Sequence, residues 1–284
     1  MTGWPPTLAE PRDVELSDGR RMPRLGFGVW QIPDDGVEAA VAAAIGAGNR
    51  LIDTASLYAN ERGVGRAVRA APLPRDQLFV TTKLGNEDHG FDKALRAYDA
   101  SLAQLGLDYV DLYLIHWPRP LADRYVESWR ALVRLKEEGR VRSIGVSNFE
   151  PHHIERIVKA TGVWPVVNQV ELHPRWQQRA LRSFHGRHAI VTQSWSPLGR
   201  GHLDNSPVLA RIAAKHGKTW AQVIIRWTID CGLTTLTRTV RPERMRENID
   251  VFDFQLDADD IAAIAALDAA DGRFGPDPET YLSG

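Results

Sequence analysis

Cysteine is almost missing. Cys231 is the only one in 284 residues, which excludes an intramolecular disulfide framework and any multi-cysteine metal site. A reducing compartment is compatible with this. Long apolar runs are missing too: the longest, Ala39 to Ile45, falls far short of the ~20 residues a membrane span requires. The opening Met1-Thr2-Gly3-Trp4-Pro5-Pro6 has neither the basic nor the apolar region of a secretory signal. Neither sign of charge is in excess. Thirty-five basic against 36 acidic residues leave a net charge of -1, which argues against a general polyanion binder. No low-complexity tract, internal linker or clear repeat appears, and no G-x-G-x-x-G follows a strand-like segment. The expectation is a soluble, cytoplasmic monomer with no nucleic-acid or membrane partner.

What is present is regular. Apolar, β-branched segments suggest strands at Gly26–Trp30, Leu51–Ala55, Leu78–Leu84, Val110–Trp117, Arg142–Ser147, Val166–Glu171, Ala189–Ser194 and Leu233–Arg238. Their starts are spaced by 25, 27, 32, 32, 24, 23 and 44 residues, mostly the length of one βα unit, about 30 residues. Apolar residues three and four apart predict helices at Gly36–Gly48, Glu61–Ala71, Phe91–Leu105, Arg124–Glu138 and Glu150–Ala160. Ser206–His216 and Trp220–Asp230 fill the long gap, and Pro242–Ile249 and Asp257–Leu267 follow. Eight such units favour a closed (β/α)8 TIM barrel over a doubly wound sheet, since that barrel averages ~250 residues. Asp13–Pro23, with a turn at Ser17-Asp18-Gly19-Arg20, reads as a β-hairpin plugging the barrel floor. Residues 1–284 are taken as one domain.

In such a barrel the chemistry belongs at the C-terminal ends of the strands. There the second strand offers Asp53, the third Lys83 and the fourth His116, and Tyr58 follows Asp53 by five residues. Each has an ordinary explanation when taken singly: a turn aspartate, a solvated lysine, a hydrogen-bonded core histidine, a packing tyrosine. Together they suggest general acid chemistry. Burying an unpaired charge is costly, and neighbouring strands allow Asp53 and Lys83 to pair. A nearby ammonium favours the phenolate of a tyrosine and is expected to lower its pKa from roughly 10. Tyr58 and His116 are both candidates for protonating a developing oxyanion. Spacing does not separate the two roles.

At these residues the chain resembles the aldo-keto reductases. The motifs are Gly26-Phe27-Gly28-Val29-Trp30, Leu51-Ile52-Asp53-Thr54-Ala55 with Tyr58-Ala59-Asn60-Glu61, Thr81-Thr82-Lys83-Leu84 and Leu112-Tyr113-Leu114-Ile115-His116-Trp117-Pro118. They continue through Ile144-Gly145-Val146-Ser147-Asn148-Phe149, Asn168-Gln169-Val170-Glu171-Leu172-His173-Pro174 and Trp195-Ser196-Pro197-Leu198-Gly199-Arg200-Gly201. The likeness is strongest to the bacterial 2,5-diketo-D-gluconate reductase-like branch, and Gly275-Pro276-Asp277-Pro278 fits it.

The resemblance implies NADPH-dependent reduction of small aldehydes, α-dicarbonyls or keto-sugars. Tyr58 is then the proton donor, Lys83 its pKa partner, Asp53 the support for Lys83, and His116 the carbonyl-orienting residue. It implies that Ser147, Asn148 and Gln169 hold the nicotinamide carboxamide and that Trp195 stacks on the ring. Ser196, Pro197, Leu198 and Gly199 belong to a loop beside the pyrophosphate. Arg238, Thr239 and Arg244 take the 2′-phosphate, and Glu247 and Asn248 the adenine. Trp30, Gly85 and Trp117 shape the substrate pocket.

Two places depart from the family pattern. Leu236-Thr237-Arg238-Thr239 stands where Ile-Pro-Lys-Ser is common, keeping charge and hydroxyl. Gly85 stands where tryptophan is common, which is expected to remove a wall of the pocket. His89, His152, His153, His188 and His202 are taken as surface or structural, with no metal site expected. The rival readings are a catalytically weak NADPH-binding regulatory subunit and a metal-dependent barrel hydrolase.

Overall fold

A computed structural model describes residues 12–281. Eight parallel strands close into a barrel in chain order: β3 (Leu25–Gly28), β4 (Leu51–Asp53), β5 (Phe79–Leu84), β6 (Leu112–Ile115), β7 (Ser143–Ser147), β8 (Val167–Glu171), β9 (Val191–Trp195) and β10 (Thr234–Thr237), which returns to β3. All eight expected strands are found, several of them shorter than read. The chain leaves β3 at Gly28 and β6 at Ile115, so Trp30 and His116 sit just past strand ends.

Before the barrel, β1 (Asp13–Glu15) pairs antiparallel with β2 (Arg21–Pro23). The turn uses Gly19 at φ 81°, a backbone state glycine enters without steric cost. The hairpin buries Leu16 and Met22 against Leu51, Phe79, Leu112 and Val167. These four sit at or near the starts of their strands, so the hairpin is a floor plug as expected.

The helices are α1 (Asp34–Ala47), α2 (Glu61–Ala70), α3 (Phe91–Leu105), α4 (Tyr125–Glu137), α5 (Pro151–Thr161), α6 (Arg179–Arg187), α7 (Pro207–His216), α8 (Trp220–Asp230), α9 (Pro242–Ile249) and α10 (Ala258–Ala265). Their ends follow local chemistry. Ser206 caps α7 ahead of Pro207, and reciprocal capping boxes open α8 (Thr219 and Gln222) and α10 (Asp257 and Asp260). The 44-residue gap holds α7 and α8, as read. Helix α6 was not expected.

The main apolar core lies between the strands and α1 to α5. The barrel interior toward the top is polar instead, with Asp53, Thr81, Lys83, Gln169 and Gln193 all buried. Among the described residues, no helix is long and apolar enough to cross a membrane.

Candidate active site

The register brings Asp53 beside Gly28 and Thr81, with Lys83 two residues further along β5. Lys83 is fully buried and Asp53 nearly so. Lys83 Nζ donates to Asp53 Oδ1 at 2.5 Å and to the Thr54 carbonyl at 2.9 Å. Tyr58 ends a 3-10 turn, Ser56–Tyr58, and its hydroxyl lies 3.5 Å from the same ammonium. Asn60 fastens this turn. It donates to the carbonyls of Val29 and Ile32 at 3.0 and 2.8 Å, and it accepts from the Thr54 hydroxyl at 2.8 Å. The Tyr58 and His116 rings meet edge to face, with centroids 5.6 Å apart.

Burial is the main force on every proton here. It pushes the Tyr58 phenol up. The Lys83 ammonium pulls it down, Asp53 pushes it further up, and the balance is a raised pKa. That corrects the expectation of a net lowering: the ammonium's pull is real but smaller than the cost of a buried phenolate. Burial works against the Lys83 charge as well, yet Asp53 and Tyr58 outweigh it and hold that ammonium above its ordinary value. His116 is driven well below the usual histidine range, first by burial and then by Lys83. It is a neutral imidazole at physiological pH, which weighs against it as the acid.

Two supports escaped the reading of the sequence. Gln169 donates one amide hydrogen to Asp53 Oδ2 at 2.8 Å and the other to Gln193 Oε1 at 2.7 Å. Gln169 and Gln193 are register partners on β8 and β9. Two glutamines inside buried strands were the available signal, since buried polar residues are the informative ones. With both hydrogens committed, Gln169 has its carbonyl oxygen left to offer a ligand. Trp195 donates from Nε1 to Asn148 Oδ1 at 2.8 Å, and Asn148 donates to the His116 carbonyl at 2.9 Å. The ends of β6, β7 and β9 are thereby tied together. Asn148, Ala59 and Ser196 all have φ between 51° and 62°, a cluster of left-handed non-glycine residues of the kind that gathers at functional sites.

A cavity of about 620 Å³ opens over these groups. Asp53, Tyr58, His116, Ser147, Asn148, Gln169, Trp195, Ser196, Pro197, Leu198, Arg238, Trp30 and Trp117 line it. Lys83 sits behind Tyr58 and Asp53. Gly199, Thr239, Arg244, Glu247 and Asn248 are not in the lining. Arg244 is exposed on α9, and Asn248 is buried. Gly85 is a correction. A Cβ there would meet Asp88 Oδ2 at 2.9 Å and Ser56 Oγ at 3.2 Å, so the missing side chain makes room for that pair, and Gly85 does not line the cavity.

The sequence reading had not placed Pro276 and Tyr281 in the wall, nor Arg200 between two indoles. The Tyr281 ring packs on Trp117 at 4.4 Å. The Arg200 guanidinium lies 5.0 Å from the Trp30 ring centre and 5.3 Å from that of Trp195. His152, His153 and Glu279 converge elsewhere, with their ligand atoms all within 4.8 Å. However, His153 Nδ1 accepts from the Glu150 amide at 3.1 Å. Its hydrogen is therefore on Nε2, 3.4 Å from Glu279, and a nitrogen that carries a hydrogen has no lone pair for a metal.

A parallel barrel with a buried ion pair and a tyrosine at its C-terminal mouth defines a class, the barrel enzymes that keep their chemistry at the strand ends. The family model for the aldo/keto reductase family matches residues 24–269. Similar proteins include an aldo-keto reductase of Mycolicibacterium smegmatis, 50% identical over 94% of this chain and 97% of that protein. Another is the methylglyoxal reductase DkgA of Escherichia coli, 48% identical over 96% of this chain and 99% of that protein. Among solved structures, a Gox0644 mutant in complex with NADPH has 50% identity and a TM-score of 0.93, covering 97% of this chain and all of that one. The chain belongs to the aldo-keto reductase family, and it is an oxidoreductase acting on carbonyl groups.

Proposed function

We propose that this chain reduces small aldehydes, α-dicarbonyls or keto-sugars such as 2,5-diketo-D-gluconate with NADPH, Tyr58 acting as general acid. The observation that carries the reading is the Tyr58 hydroxyl 3.5 Å from a buried ammonium that Asp53 holds, at the wall of an open cavity. The cofactor fits the groups present. The amino hydrogens of a carboxamide need acceptors, and the oxygens of Gln169, Asn148 and Ser147 supply them, while the Ser147 and Asn148 hydrogens go to the Gln169 and His116 backbone carbonyls. Trp195 offers an aromatic flank. Arg238, with Thr239 and Arg244 at the start of α9, offers charge for a phosphate near a helix N-terminus. The similar Gox0644 mutant and a Bombyx mori aldo-keto reductase have solved structures with NADPH and NADP bound, respectively.

When bound, NADPH supplies the hydride. Tyr58 gives its proton to the carbonyl oxygen as charge develops there. Lys83 remains an ammonium and steadies the phenolate left behind. Asp53, itself held by Gln169, keeps Lys83 in place. His116 presents Nε2 to the cavity and donates a hydrogen bond to the same oxygen. Residues 1–284 act as one barrel domain and as a monomer on this reading.

Following NADPH absorbance with methylglyoxal, diketogluconate and aromatic aldehydes tests it. Many turnovers per enzyme are expected with at least one α-dicarbonyl. Binding of NADPH with no turnover across the panel would overturn the reading in favour of a regulatory subunit. Dissociation constants should be tighter for NADPH than for NADH, and equal values would remove Arg238, Thr239 and Arg244 from the phosphate site.

A further inference from the structure

We propose that His89 is a positioning residue for His116: through one buried water it holds His116 in the tautomer that carries its hydrogen on Nε2, the atom facing the cavity. The inference rests on the reading of His116 as a hydrogen-bond donor to the carbonyl.

The chain brings the two rings to one corner. Strands β5 and β6 pair in register through Leu84 and Ile115, so the residues after Leu84 run beside His116. A 3-10 turn, Asn86–Asp88, leads into His89. Arg119 ties that turn to the loop after His116, donating from Nη1 to the Asn86 carbonyl and to Glu87 Oε1, both at 2.7 Å. The next residue is pinned as well, since the Gly90 amide donates to Ser128 Oγ at 2.9 Å.

The polar atoms of this corner lack partners. His89 is only 4% exposed, and both of its ring nitrogens are buried without a hydrogen bond among the described residues. His116 Nδ1 and Arg119 Nε share that condition. A neutral imidazole carries one donor and one acceptor. Leaving either unmet in the interior costs about 1–3 kcal/mol, so Arg119 Nε, His116 Nδ1 and one His89 nitrogen call for a common partner. A buried water makes about three bonds to groups of this kind.

The chemistry of the three side chains sets the water's orientation. His89 is neutral at pH 7, with a pKa lowered to about 4 by burial and then by Arg119, so one of its nitrogens is a bare acceptor. Arg119 Nε can only donate. A water that accepts from Arg119 Nε has two hydrogens to place, and His89 takes one. The other goes to His116 Nδ1, which thereby becomes the acceptor of its ring. The ring's single hydrogen is then on Nε2, where a substrate oxygen can receive it. With Nδ1 protonated instead, Nε2 would be a bare lone pair turned toward that oxygen.

Nitrogen-15 NMR at neutral pH reads the tautomer without turnover, so it stands apart from the reading of the active site. The His116 signals are assigned by their loss in His116→Gln. The full-length wild-type protein should show His116 protonated on Nε2. In His89→Leu the signals should move toward the Nδ1–H form, and kcat/KM for methylglyoxal should fall about tenfold while the NADPH dissociation constant holds. His89→Gln, which keeps a donor and an acceptor, should restore most of both. Wild-type His116 protonated on Nδ1 would overturn the proposal, as would an unchanged tautomer in His89→Leu. Should the leucine variant not fold, the wild-type and glutamine spectra decide. A wild-type Nε2–H with no loss of turnover in His116→Gln would instead refute the role of His116 and leave the positioning by His89 intact.

Discussion

Lys83 and Tyr58 touch, but removing them should differ in what it does to stability. Lys83 and Asp53 form an ion pair that is almost wholly inside the protein. Taking away one member of such a pair leaves a buried uncompensated charge, at a cost of about 3–5 kcal/mol. Lys83→Met should therefore lose both activity and stability, and Lys83→Met with Asp53→Asn should recover stability alone. Urea denaturation beside steady-state kinetics checks this, and a stable, inactive single mutant would contradict it. Tyr58→Phe removes only a hydroxyl from a half-buried ring. Turnover should drop about 100-fold or more, with little change in urea midpoint or NADPH affinity. The pH dependence follows from the same environments. His116 is held neutral and the Tyr58 phenol is held protonated, both with burial as the leading cause. The kcat/KM for reduction should lack a break near 6.5 and fall only on the alkaline side, above the ordinary tyrosine range of about 10. A histidine limb near neutrality would return the acid role to His116.

At the level of elements, the least obvious device is the grip of β8 on the C-terminal segment. Glu171, the last residue of β8, accepts the Phe274 amide on Oε1 at 2.6 Å and the Gly275 amide on Oε2 at 2.7 Å. Phe274 stacks between His173 at 4.7 Å and His202 at 4.2 Å. Beyond it, Pro276 and Tyr281 reach the cavity wall. Gly275 has no room for a side chain, since a Cβ would meet Trp195 at 2.5 Å and Glu171 Oε2 at 2.6 Å. Gly275→Val should therefore lift the segment away from Trp195. It should raise KM and expose the tail to limited proteolysis, and an unchanged digestion pattern would refute the grip. Burial raises the Glu171 pKa, but the bonds from His173, Phe274 and Gly275 outweigh it and leave it lowered. The stabilisation is thus present above the ordinary glutamate range and is lost as pH falls below it, so the tail should loosen in acid. The grip was not legible from the chain, because Glu171 and the Phe274 and Gly275 amides that it accepts are more than a hundred residues apart. The Asp53, Lys83 and His116 ends were legible, since an ionisable group closing an apolar strand stands out locally. Helix α6 hid for a different reason. Arg179–Arg187 is mostly basic and polar, and its buried row is only Leu181, Phe184 and His185, too short to show a clear period.

Across the whole molecule, chemistry and stability occupy opposite ends of one barrel. That division explains why the fold class was readable while the pocket outline was not. The strand spacing is a global rhythm that survives errors of several residues at each end. The cavity depends on where individual side chains point, and there Gly85, read as a pocket residue, turned out to accommodate Asp88 and Ser56. The hairpin at the floor offers a clean test of the division. Met22 is completely buried and packs with Leu16 against residues near the strand starts. The turn is fastened from outside, where Asp18 Oδ2 accepts from Lys136 at 3.0 Å and from Ser143 at 2.9 Å. Met22→Ala removes most of a fully buried side chain. A large-to-small change of this kind costs about 2–5 kcal/mol, because the cavity left behind collapses only partly. That is a sizeable share of the roughly 5–15 kcal/mol by which a domain is usually stable, and it should appear as a lower urea midpoint. The kcat and KM of the folded fraction at 25 °C should match wild type, because none of the residues that line the cavity belongs to the hairpin. Equal stability would mean that the plug carries no load, whereas a changed kcat in fully folded protein would mean that the floor is mechanically coupled to the mouth.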